Sequence, residues 1–124
     1  MANDMEKSWH SRIPVEWPVT IVTDQSVING ETKIVTDVGF FLHCEEKLSR
    51  NGLYQIILRP PNQNPVLTKG QLIWSNFEIA VRRGIVSGMG FYFAKIADGD
   101  RNVLQKAISD ALKRKEADCQ EIED

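Results

Sequence analysis

The sequence predicts a mainly β domain: a six-stranded antiparallel barrel carrying one C-terminal α-helix. Two patterns point there. Up to Ile96, apolar and polar residues alternate over six short stretches separated by Gly, Pro and Asn, the period-two signature of half-buried strands. After Asp98 the period changes, and Val103, Leu104, Ala107, Ile108, Ala111 and Leu112 recur at helical spacing, giving one apolar stripe. Six short strands in one small domain favour closure, because a closed barrel leaves no unpaired edge.

The first strand is read from Val15, Trp17, Val19 and Ile21, which alternate with Glu16, Pro18 and Thr20. Pro18 cannot donate to a ladder, so this strand needs a free side or a bulge there. Thr23-Asp24-Gln25 and Asn29-Gly30 both read as turns, Asn-Gly being a strong hairpin cue. Glu31 to Thr36 forms the second strand, and Asp37-Val38-Gly39 breaks it. In the third, Phe40, Leu42 and Cys44 share one face, with Phe41 and His43 on the other. Leu53 to Leu58 is the fourth strand. The run from Arg59 to Pro65, with three prolines, excludes regular structure. Val66 to Trp74 is the fifth, followed by a longer loop or hairpin arm, Asn76 to Gly88, that carries Arg82-Arg83-Gly84. Gly88 to Ile96 is the sixth, with Met89, Phe91 and Phe93 on one face. In the helix, Asp98 or Asp100 suits the N-terminus, and Lys113-Arg114-Lys115 suits the C-terminal end of the dipole. The organisation is thus an N-terminal segment over 1–12, a barrel over 13–97, a helix over 98–118 and an acidic tail over 119–124.

The 124 residues make one domain. With 42% hydrophobic and 26% charged residues, the composition excludes disorder, collagen and coiled coil. The absence of any run of about 18 apolar residues leads us to expect no membrane insertion. The polar start of the chain lacks the apolar core of a secretory signal, so a cytoplasmic location is expected. Cys44 and Cys119 are far apart and match no metal-ligand spacing.

The net charge of −2 hides an uneven distribution: −4 over residues 1–49, +5 over 50–97 and −3 over 98–124. The basic middle can attract an anion, but the overall balance is not that of a generic nucleic-acid binder. Single-stranded nucleic acid is bound on stacked, exposed aromatics. Here Trp17, Phe91 and Phe93 fall on core positions, so no nucleic-acid partner is expected. Neither His10 beside Ser11 nor Glu45-Glu46 forms a catalytic set, and the common metal and phosphate-loop motifs are absent. The domain is therefore expected to be non-enzymatic and to need no cofactor.

Four segments together resemble a known family. They are Arg12-Ile13-Pro14-Val15, Thr36-Asp37-Val38-Gly39-Phe40-Phe41-Leu42, Gly70-Gln71-Leu72-Ile73-Trp74 and Gly88-Met89-Gly90-Phe91-Tyr92-Phe93, the last followed by a helix. In that order they resemble the PilZ domain, the bacterial module that binds cyclic di-GMP, over about residues 8–112. The resemblance implies a PilZ-type barrel acting in second-messenger signalling, with type IV pilus or flagellar behaviour as the setting. It also implies two ligand motifs: Arg-x-x-x-Arg before the first strand, and (Asp/Asn)-x-Ser-x-x-Gly after the second. Arginine can fork onto guanine O6 and N7, grip a phosphate, or stack on a base.

Both motifs are altered. The second arginine falls on Arg12, but the first falls on Ser8, with Lys7 next door out of register. The acidic or amide position falls on Ile34, the serine position on Thr36 and the glycine on Gly39. A hydrogen bond to a charged group contributes about 1.5–3 kcal/mol, so losing two costs roughly 3–6 kcal/mol, on the order of 10²–10⁴ in affinity. Arg12, Thr36 and Gly39 are the retained candidates for ligand contact. Ser8, Trp9 and His10 flank them, Trp9 as a base-stacking surface, with Lys7, Arg82 and Arg83 as auxiliary cations. Two readings follow: a PilZ-like domain with weakened or lost nucleotide binding that works through a partner protein, or a cyclic di-GMP receptor with an altered site. Either a monomer or a homodimer is compatible with the helix stripe.

Overall fold

The computed structural model describes residues 12–49 and 52–123. The strands are β1 (Pro18–Val22), β2 (Val27–Val35), β3 (Gly39–His43), β4 (Leu53–Leu58), β5 (Val66–Ser75) and β6 (Gly88–Ile96). They close into a barrel in the order β1-β2-β3-β6-β5-β4, with every neighbouring pair antiparallel. The helices are α1 (Phe77–Arg83) and α2 (Asp98–Glu123).

The alternation in the sequence becomes the inside and outside of this barrel. Trp17, Val19, Ile21, Leu42, Ile56, Leu58, Leu72, Met89, Phe91 and Phe93 all face the core. Phe40 stacks on Phe91 at 5.2 Å between ring centroids. Buried Thr32 is satisfied twice: its hydroxyl donates to the Val15 carbonyl and accepts the Trp17 N–H. Leu104, Ala107 and Ile108 of α2 join the same core, with Val103, Ala111 and Leu112 at its margin. The helix stripe is therefore spent on its own barrel.

The structure departs from the expected elements in four places. Asn29-Gly30 is not a turn but lies inside β2, opposite Thr20 and Val19. The hairpin turns earlier, where the Thr23 backbone N–H reaches the Ser26 carbonyl at 2.9 Å and the Thr23 hydroxyl accepts the Ser26 N–H at 2.9 Å. Asn29 is held in the strand by the Thr20 hydroxyl at 2.8 Å. Secondly, regular pairing begins at Pro18 rather than Val15, and the chain before it is tied by an isolated bridge from Ile13 to Val35. Thirdly, the expected loop over 76–88 contains α1, which ends where Gly84 takes the left-handed conformation at φ 65°. Lastly, α2 continues to Glu123, past the expected end at 118 and through the segment read as a tail.

Candidate functional site

A cleft of about 410 Å³ opens on the outside of the barrel, across β2, β3, β6 and β5. It is lined by Arg12, Ile34, Thr36, Val38, Gly39, Phe40, Phe41, Ile73, Gly90, Phe91 and Tyr92. The three retained motif residues, Arg12, Thr36 and Gly39, thus meet in one place.

The ladder explains the meeting. Ile13 and Val35 exchange two backbone hydrogen bonds, at 3.0 and 2.9 Å. In an antiparallel pair the residue before one partner lies opposite the residue after the other, so Arg12 is brought beside Thr36. Two motifs separated by more than twenty residues are joined by a single bridge.

Thr36 and Gly39 have structural duties of their own. The Thr36 hydroxyl accepts the N–H groups of Val38 and Gly39, each at 3.1 Å, and donates to the Gly39 carbonyl at 3.2 Å. It staples the β2–β3 turn, as threonine hydroxyls do in such turns. Gly39 crosses β6 so closely that an added Cβ would lie 2.1 Å from the Phe91 carbonyl oxygen. Packing of the barrel alone demands glycine here. Arg12, by contrast, is exposed on the rim.

The position at which the resemblance requires an acid or amide is filled by Ile34, 37% exposed and lining the cleft. Val38, Ile73 and Tyr92 add more exposed apolar surface. Phe41, opposite Ile34 across the β2–β3 ladder, packs on Trp74 with ring centroids 5.5 Å apart. The His43 ring lies edge-on to it at 5.7 Å. The cleft is accordingly an apolar trough with one arginine at its edge. The turn beside it carries Asp37, whose Oδ1 is buried with no hydrogen-bond partner among the described residues.

The remaining candidates lie elsewhere. Ser8, Trp9, His10 and Lys7 are outside the described residues. Arg82 and Arg83 close α1 and are not among the residues lining the cleft. The apolar lining at Val38, Ile73 and Tyr92 was not singled out from the sequence, although Ile73 and Tyr92 occupy outward positions of their strands, where a polar residue is the norm. Cys44 sits at the margin of the core. Burial pushes its thiol pKa up, the Glu46 and Glu45 carboxylates push the same way, and the Glu46 N–H opposes them. Such a thiol is a poor nucleophile.

No family model and no curated protein matches the chain in sequence. Solved structures match it in fold. YcgR of Escherichia coli, in complex with c-di-GMP, superposes with a TM-score of 0.72 at 13% identity, over 90% of this chain and 47% of that one. The inhibitor of motility MotI from Bacillus subtilis gives 0.67 at 18% identity, over 82% of this chain and 50% of that one. The isolated PilZ domain of YcgR, with c-di-GMP, gives 0.67 at 16% identity and is covered over 94% of its length. The chain spans about half the length of MotI and of YcgR. Its fold is that of a PilZ-type domain.

Proposed function

We propose that this chain is a non-enzymatic PilZ-type signalling domain whose grip on cyclic di-GMP is weakened or lost, and that it acts through protein–protein contact. The observation that carries this reading is Ile34. An exposed aliphatic side chain stands where a guanine edge would need an acceptor, in a cleft whose lining also includes the apolar surfaces of Val38, Phe41, Ile73 and Tyr92. Thr36 adds little to a ligand, because its hydroxyl is already engaged in the turn. A trough of this kind suits an apolar protein surface better than a doubly charged dinucleotide.

A second reading, a cyclic di-GMP receptor with an altered site, draws on Arg12 at the cleft rim and on the c-di-GMP bound in the structures of YcgR and of its PilZ domain. Calorimetric titration with cyclic di-GMP, with GTP as control, separates the two. We expect no saturable heat in the micromolar range. A low-micromolar constant that disappears in Arg12→Ala would establish the receptor reading instead.

A further inference from the structure

None of the Lys and Arg residues in the basic stretch 50–97 lines the cleft. Two of them, Lys69 and Lys95, meet in a second groove of about 720 Å³ that shares no lining residue with the cleft. This groove crosses the outside of β4, β5 and β6 and reaches the first turn of α2. Its floor is aliphatic: Ile57 and Leu67 lie directly opposite each other across the β4–β5 ladder, and Leu67 is 55% exposed.

The charges around that floor are placed against local preference. Lys69 and Lys95 are register partners on β5 and β6, and like charges directly opposite oppose folding. A bulge builds the pair. Lys69 faces Lys95 while Gly70 faces Phe93, so Ala94 is the extra residue, and Ala94 and Lys95 are both exposed in succession. A regular strand would turn one of them inward. Arg101, also in the lining, stands in the first turn of α2, near the helix end that disfavours a cation. None of the three forms an ion pair among the described residues. The acid of the lining, Asp100, accepts the Leu67 N–H at 3.2 Å and ties helix to strand.

The floor decides which anion fits. A phosphate is cradled by free backbone N–H groups, but β5 and β6 are each paired on both sides and the Leu67 N–H is taken. A nucleotide base needs an aromatic ring to stack on, and none of the described residues lining the groove is aromatic. Anionic lipid surfaces are held by clusters of about 4–8 cations, more than this groove carries. Carboxylates beside aliphatic side chains match both the rim and the floor.

We infer that the groove docks an acidic segment of a partner protein, with its carboxylates on Lys69, Lys95 and Arg101 and its aliphatic side chains on Ile57 and Leu67. The inference rests on the protein-contact reading above for the nature of the occupant, but its site is separate from the cleft. Its test uses no cyclic di-GMP and no variant of the cleft, so its failure is distinct from any result of the calorimetry.

The probe is a fluorescein-labelled peptide of glutamate and leucine, followed by anisotropy with the full chain at low salt. Saturable micromolar binding is expected, at least tenfold weaker in Lys69→Gln/Lys95→Gln and in Arg101→Gln. It should fade between about 0.1 M and 1 M salt, as the screening length falls from ~10 to ~3 Å. The same peptide with glutamine for glutamate should not bind. Charge reversal is the sharper arm: Lys69→Glu/Lys95→Glu should lose the glutamate peptide and take up a lysine–leucine one. All three positions are exposed, so the variants should keep their circular dichroism. Because it separates like charges, Lys95→Gln should raise the urea midpoint of the free protein. No binding of the glutamate peptide up to about 1 mM, in the range of weak contacts, overturns the inference. So does binding that survives Lys69→Gln/Lys95→Gln, displacement of the peptide by equimolar inorganic phosphate or ATP, tighter capture by phosphatidylglycerol vesicles, or a midpoint that falls in Lys95→Gln.

Discussion

Gly39 carries no side chain because the Phe91 carbonyl occupies the place where a Cβ would go, 2.1 Å away. Neither atom can swing aside, as both belong to paired backbone. Gly39→Ala should therefore cost more than ordinary overpacking, about 3 kcal/mol or above, read as a lower urea midpoint with an unchanged slope. Thr36 illustrates a shared position. Its hydroxyl holds two N–H groups of the turn, so Thr36→Val should cost about 1 kcal/mol while Thr36→Ser costs less. Ile34 is the reverse case, a residue the barrel tolerates but does not need, since it is partly exposed and faces outward. Under the proposed function, Ile34→Asp restores an acceptor to the cleft and should raise cyclic di-GMP affinity by about tenfold or more, the worth of one hydrogen bond to a charged group. Titration of that variant beside the wild type checks it, and an unchanged affinity would place the guanine edge elsewhere.

The elements show how local chemistry is overruled and how it persists. Asn-Gly is a strong turn former, yet Asn29-Gly30 is pulled into β2, because the Thr23–Ser26 turn has already set the register and Asn29 has a partner in Thr20. At the end of α1 local chemistry prevails. Gly84 takes φ 65° and its N–H reaches the Ala80 carbonyl, the left-handed cap for which glycine is preferred. Gly84→Ala should fray α1 at a cost of about 1 kcal/mol. Because α1 buries only Ala80, the loss should appear as faster amide exchange over α1 rather than as a lower global stability. Cys44 belongs at this scale too, at the end of β3. Its raised pKa means that the folded protein holds the thiol proton more tightly than the unfolded chain does. Stability should then be constant below the thiol range and fall as pH rises through it.

At the scale of the whole molecule, β5 and β6 are tied to α2 through one apolar core. Leu104 is fully buried, with Ala107 and Ile108 beside it. Leu104→Ala should cost about 2–5 kcal/mol, a large share of the 5–15 kcal/mol typical of a domain. Denaturant unfolding should remain a single transition, because helix and barrel share that core.

Much of this was readable in the chain before any fold was known. Period two over the strands, period 3.6 after Asp98, and the prolines of Arg59 to Pro65 are local signals, each written in the residues that execute it. They specify six strands, a helix and which side chains face inward. The retained and altered motif positions were legible as well, since Arg12, Ile34, Thr36 and Gly39 are identities rather than geometries. What the tertiary structure alone decided is how residues distant in sequence converge. The Ile13–Val35 bridge places Arg12 beside Thr36, the strand order β2-β3-β6-β5 sets Ile73 and Tyr92 on one trough with Ile34, and the β3–β6 crossing makes Gly39 obligatory. Periodicity tells a side chain which way to point. Only strand order and register, which come from pairings far apart in the chain, tell it what it will meet.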